Sequence, residues 1–256
     1  MIKLPTTDSQ PSESRLKMLV VIAAMKCGKT SNFLKIPDSL MINVEESAEY
    51  YGGRFINVKE EARKQAKGPV TIIKELQAQL KEENRKASKF LYRRIIIDQL
   101  TELEELALTY ATHMYKKSDM GKSYTGNDVT ELEFGRGYGL LRDAMNDLID
   151  PFKDLCETLI LLGHPKTSYI NKGGKNLQVT DLNVTGKLTK SIPGSSDANA
   201  TMFRDPEGSR NILSFMNYGG DNLVGSRVPR LQNKEFVISE LIDGKLITHW
   251  DKIFID

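Results

Sequence analysis

With 256 residues, 39% hydrophobic and 27% charged, the chain is long enough for one large α/β domain or two small ones and apolar enough to bury a core. A net charge of +2 is too small to announce a nucleic-acid partner by itself. No apolar run approaches the roughly 20 residues that span a bilayer, and the polar N-terminal stretch carries no signal-peptide core, so a cytoplasmic protein is expected.

Residues 1–15, rich in Ser, Thr, Pro and Gln, read as a flexible arm. An apolar strand over 17–24 then opens into Ala23-Ala-Met-Lys-Cys-Gly-Lys-Thr30, which reads as a phosphate-binding P-loop leading into a short helix. The backbone N–H groups of such a loop wrap phosphates, and the helix points its positive end at them. The nucleotide cradle is therefore assigned to Ala24, Met25, Lys26, Cys27, Gly28, Lys29, Thr30 and Ser31. Lys29 is expected at the β- and γ-phosphates, and Thr30 at Mg²⁺. Ala23 stands where the motif normally has glycine, which removes one residue's freedom to take positive φ. Cys27 lies in this loop and Cys156 before a later strand; two such cysteines make no disulfide framework, and both read as small semi-apolar fillers.

A second strand is expected over 40–44 and a short third over 54–58. Glu45 follows the second strand and is the chosen carboxylate for orienting the attacking water, with Glu46 in reserve. Apolar residues at Val70, Ile73, Leu76 and Leu80 predict a helix over 70–86. The run 92–98 is a buried strand closing in Asp98. An acid after three isoleucines needs an ionic partner, so Asp98 is expected to hold Mg²⁺ with Thr30, at the end of a strand adjacent to the P-loop strand. Thr101 is a candidate N-cap for a helix over 101–116, with Glu104 completing a capping box. Residues 117–130 read as a mobile polar loop, and 131–155 as largely helical with a break at Pro151.

The strand 157–163 ends at His164, placed to contact the γ-phosphate and report its loss to the segment that follows. That segment, 165–176, reads as a basic loop in which Lys166, Lys172 and Lys175 meet nucleic-acid phosphates and Tyr169 stacks on a base; an ordinary solvated loop is the alternative. Residues 200–204 and 211–215 predict a β-hairpin across the turn 205–208, with further strands over 235–239 and 246–254. The alternation of strand and helix implies a mainly parallel sheet covered on both faces.

The order of P-loop, Ile42-Asn-Val-Glu45, Ile95-Ile-Ile-Asp98 and Leu161-Leu-Gly-His164 resembles that of the RecA-like ATPases. Asp98-Gln-Leu-Thr-Glu102, Gly163-His164 and Arg227-Val-Pro-Arg-Leu231 are similar, more narrowly, to the short phage-type RecA-like recombination and single-strand annealing ATPases. The resemblance covers 16–235 and implies an ATPase domain there, a flexible arm over 1–15 and a C-terminal β extension over 236–256. It implies ATP and Mg²⁺ as cofactors, Lys29, Glu45 and His164 as catalytic residues, and Thr30 and Asp98 as the metal pair. It implies single-stranded DNA as a partner, bound by 165–181 and by a second loop over 117–130. Ring or filament assembly follows in the same way, with Arg227 and Arg230 reaching a neighbour's phosphates or forming surface salt bridges. A single-strand-binding protein is a further implied partner, a membrane is not, and a phage-encoded chain would work in the host cytoplasm. Two other readings stay open: an ATP-gated assembly or adaptor protein, such as a helicase loader, and a small-molecule kinase.

Overall fold

The computed structural model describes residues 16–172, 175–217 and 223–255. The arm 1–15 lies outside the described residues.

In chain order the elements are β1 (Met18–Ala23), α1 (Lys29–Phe33), β2 (Ser39–Asn43), β3 (Phe55–Asn57), α2 (Val58–Lys64), α3 (Pro69–Ala87), β4 (Arg94–Asp98) and α4 (Leu100–Lys117). There follow α5 (Arg136–Ile149), β5 (Thr158–Gly163), the pair β6 (Pro165–Lys172) and β7 (Lys175–Leu182), and α6 (Leu188–Ser195). The chain closes with β8 (Ala198–Arg204), β9 (Arg210–Ser214), β10 (Gly225–Ser226), β11 (Glu235–Ile242) and β12 (Lys245–Thr248).

The main sheet runs β12-β11-β9-β8-β1-β5-β4-β2-β3, with β10 also on β8. The strands from β8 through β3 pair in parallel, and β9, β10, β11 and β12 add antiparallel pairings on the β8 side. This is the expected mainly parallel sheet with an antiparallel C-terminal extension. One expectation is corrected: β4 is not adjacent to β1, because β5 lies between them. Asp98 still reaches the P-loop, since all three strands end at the same edge.

The sheet is buried on both faces, which is why its strands are continuous apolar runs. Met18, Val20 and Ile22 of β1 enter one core with residues of α3, α4 and α5. Leu19, Val21 and Ala23 enter the other, with Phe33 behind the P-loop and Trp250, Ile253 and Phe254 of the C-terminal segment. Burying each such large apolar side chain contributes roughly 1.5–3 kcal/mol. The helix over 70–86 is α3: Pro69 opens it where its missing N–H costs nothing, and Ile72, Ile73, Leu76 and Leu80 are buried.

Three further local expectations change. The 101–104 capping box does not form: Gln99 is the N-cap of α4, Thr101 Oγ1 donates to Asn183 O at 2.9 Å, and Glu104 accepts from Thr185 N at 2.7 Å. Pro165–Lys172 and Lys175–Leu182 form a two-stranded antiparallel ribbon, β6–β7, in place of a loop, and residues 173 and 174 of that expected loop lie outside the described residues. Of the expected loop 117–130, Lys117 ends α4 and the rest forms turns and a 3-10 turn over Val129–Glu131, capped by the Asp128 side chain.

Candidate nucleotide site

The P-loop needs left-handed backbone at two points, and these fall at Lys26 (φ 60) and Gly28 (φ 90). Ala23 ends β1 as ordinary buried strand, so alanine in place of glycine costs nothing there. Gly28 O is the hub of the loop. It accepts from Asn32 N at 3.0 Å, Asn32 Nδ2 at 2.7 Å and Ser31 Oγ at 2.9 Å, so the first turn of α1 is held from within.

At the end of that loop Lys29 and Thr30 are buried, and so is Asp98. Thr30 Oγ1 donates to Asp98 Oδ2 at 2.7 Å. Lys29 Nζ stands 3.9 Å from Asp98 Oδ1 and 3.4 Å from Gln99 Oε1. Burial pushes the Asp98 carboxyl above its ordinary range, against the pull of Lys29, Thr30 and His164. Asp98 Oδ1 is buried without a hydrogen-bond donor among the described residues. A hard cation accepts such oxygens, so the Thr30 hydroxyl and the Asp98 carboxylate fit Mg²⁺.

His164 follows β5 at the same edge. Its Nδ1 lies 3.0 Å from Ala23 O and 3.5 Å from Lys29 Nζ. A carbonyl only accepts, so Nδ1 carries the proton in the first contact. Nε2 is buried and unpartnered among the described residues. Glu45, just beyond β2, lines the same cavity of about 570 Å³ as Lys29, Thr30 and His164. Its carboxyl is raised first by burial and then by the Asp98 charge. Glu46 is ion-paired with Arg63, which leaves Glu45 as the carboxylate at the cavity.

The cradle residues Ala24, Met25, Lys26, Gly28 and Ser31 line this cavity too, and Cys27 is half-buried behind them. Three lining residues escape the motif reading: Ser47, Tyr51 and Arg204. Ser47 Oγ is 3.5 Å from Thr30 Oγ1. Each comes from a segment without a motif. The available cue for Arg204 was its position at the end of the predicted hairpin strand 200–204.

The remaining predicted residues lie elsewhere. Lys166 is exposed on β6. The side chains of Tyr169, Lys172 and Lys175 lie outside those described, although their backbone belongs to the ribbon. Arg227 Nη2 donates to Gly194 O at 2.8 Å, and Arg230 Nη2 to Ile253 O at 2.5 Å. Both guanidiniums are thus engaged with their own chain, and neither lines the cavity.

The family model AAA_24, described as an AAA domain, matches residues 15–237. No curated protein matches the chain. Among solved structures, that of the RadB recombinase is similar at 7% identity, covering 91% of each chain with a TM-score of 0.44.

Proposed function

The chain belongs to the AAA domain family, matched over most of its length, and on that premise we propose that it is a Mg²⁺-dependent ATPase that binds single-stranded DNA and promotes annealing, recombination or repair. The observation that carries the ATPase reading is the meeting of Lys29, Thr30 and Asp98 at a buried edge, with Glu45 and His164 at the same cavity. Mg²⁺ held by Thr30 and Asp98 would neutralise phosphate charge. Lys29 binds the phosphates, and the raised Glu45 carboxyl accepts a proton from the attacking water near neutral pH more readily than an ordinary carboxylate.

The DNA reading rests on how the ribbon is rooted. β6 begins directly after His164, and Asn183 N beyond β7 donates back to His164 O at 2.9 Å. At Gly163 an added Cβ would fall 2.3 Å from Leu182 Cδ1, so the two roots are packed as closely as glycine allows. A change at His164 therefore acts on both ribbon strands. Lys166, Lys172 and Lys175 supply charge for a phosphate backbone, and Tyr169 a ring for a base. Oligomers with ATP between subunits, and a single-strand-binding protein as partner, belong to the same reading. So does the division into an arm over 1–15, an ATPase domain over 16–235 and an extension over 236–256.

The test is the steady-state ATPase rate with and without single-stranded DNA across a salt series. Stimulation that fades with salt is expected, because lysine–phosphate contacts release counterions. Replacing Lys166, Lys172 and Lys175 together by Glu should abolish the stimulation. Hydrolysis indifferent to DNA at every salt concentration would leave an ATP-gated assembly protein as the better reading.

A further inference from the structure

Arg204 closes β8, the strand that flanks β1 on the side opposite β5. Ala23 of β1 pairs with Met202, and side chains two apart on a strand share a face. Met202 is buried in the core beneath α1, so Arg204 projects on the P-loop side. Its Nη2 lies 3.5 Å from where a Cβ on Gly28 would stand, and it lines the nucleotide cavity. Arg204 is exposed and has no carboxylate partner among the described residues. The neighbouring acid, Asp205, is spent on its own turn, accepting from Arg210 N at 3.0 Å and Ser209 Oγ at 3.3 Å. Burial raises the Cys27 thiol, and the Lys29 and Arg204 charges pull against that rise, so the Arg204 charge is felt inside the loop.

We propose that Arg204 anchors the nucleotide from within its own subunit, by donating to the α/β end of the polyphosphate chain. The inference rests on the nucleotide-binding reading above and adds a residue and an orientation to it. On that reading the γ end lies at Thr30, Asp98, His164 and Glu45, which come from α1 and from strands on the β5 side of β1. Arg204 enters from the other flank, over Gly28, where the loop amides face the inner phosphates. A planar guanidinium with five donors suits that task. Such a contact exists equally with ATP and ADP, so it sets affinity rather than the chemical step.

The experiment measures MgATP and MgADP affinity by calorimetry, with steady-state kinetics, for the natural chain, Arg204→Ala, Arg204→Lys and Lys29→Ala. Loss of a charge-assisted bond predicts that Arg204→Ala weakens ATP and ADP by the same factor, on the order of tenfold to a hundredfold. The loss in kcat/KM should lie in KM, and Arg204→Lys should recover part of it. Unchanged affinities would overturn the proposal, as would a loss confined to ATP or to kcat. Activity restored by mixing Arg204→Ala with Lys29→Ala subunits would overturn it too, because it would put Arg204 at a neighbour's site. If the natural chain binds neither nucleotide, the nucleotide reading itself falls; binding that only Lys29→Ala abolishes would sink the Arg204 assignment alone. Thermal melts check that the variants fold.

Discussion

Lys29 is buried against Asp98, and on the proposed reading its ammonium would serve the phosphates as well. Lys29→Ala is expected to abolish measurable MgATP binding and phosphate release. Retained turnover in that variant would remove the P-loop from the mechanism. If Glu45 is the base, as proposed, Glu45→Gln keeps the shape of the site, so it should bind MgATP like the natural chain and turn over about 10²–10⁴-fold more slowly. The two cysteines offer an independent probe. Cys156 is buried with its thiol pushed up to about 12, whereas Cys27 is half-buried beside Lys29 and Arg204. A maleimide should therefore label Cys27 first, and MgADP should protect it. Protection of neither residue would place nucleotide elsewhere.

The ribbon root depends on a buried carboxylate. Glu104 of α4 accepts from Thr185 N beyond β7, and burial raises its carboxyl above the ordinary 4.5. The sign follows from which form folding prefers. Below the ordinary value the group is protonated whether folded or not, and its contribution is fully present. As pH rises through the raised value, the folded state must bury a charge and stability is lost. Glu104→Gln escapes that loss. Its melting temperature relative to the natural chain should climb from about pH 4.5 towards neutral, and a gap independent of pH would refute the assignment. At this same scale the sequence is most legible where burial is complete. β1, β4 and β5 announce themselves because both faces of a parallel sheet are covered. Helix α2 is missed because it presents only Val58 and Ala62 to the core, and α6 because Pro193 and Gly194 inside it read as breakers. The ribbon reads as a loop because its Lys, Asn and Gly content hides the period of two. The meeting of Lys29, Thr30 and Asp98 is legible, because it follows from a motif of fixed spacing and an acid closing an apolar strand. Tyr51 and Arg204 are not, since only the folded sheet brings their segments to the P-loop.

Across the whole molecule, the nucleotide helix is held by the far end of the described chain. Trp250 Nε1 donates to Asn32 O at 3.2 Å, and its ring lies 4.8 Å from that of Phe33. Trp250→Ala removes about 3–5 kcal/mol of packing. At 2–4 °C per kcal/mol for a chain of this size, the melting temperature should fall by roughly 6–20 °C, with part of the loss recovered in saturating MgADP. A fall below about 2 °C would show that the C-terminal segment does not brace α1. The central place of β1 has a consequence for how the protein is made. Leu19 pairs with Ile160 on one side and Ala198 on the other, so the P-loop strand leaves the ribosome long before either partner exists. At roughly 5–20 residues per second, its row of leucine, valine and isoleucine waits on the order of 10–35 s for β8. A nascent chain of this topology exposes the apolar row of β1 through most of synthesis, since neither strand that covers its edges has yet been made.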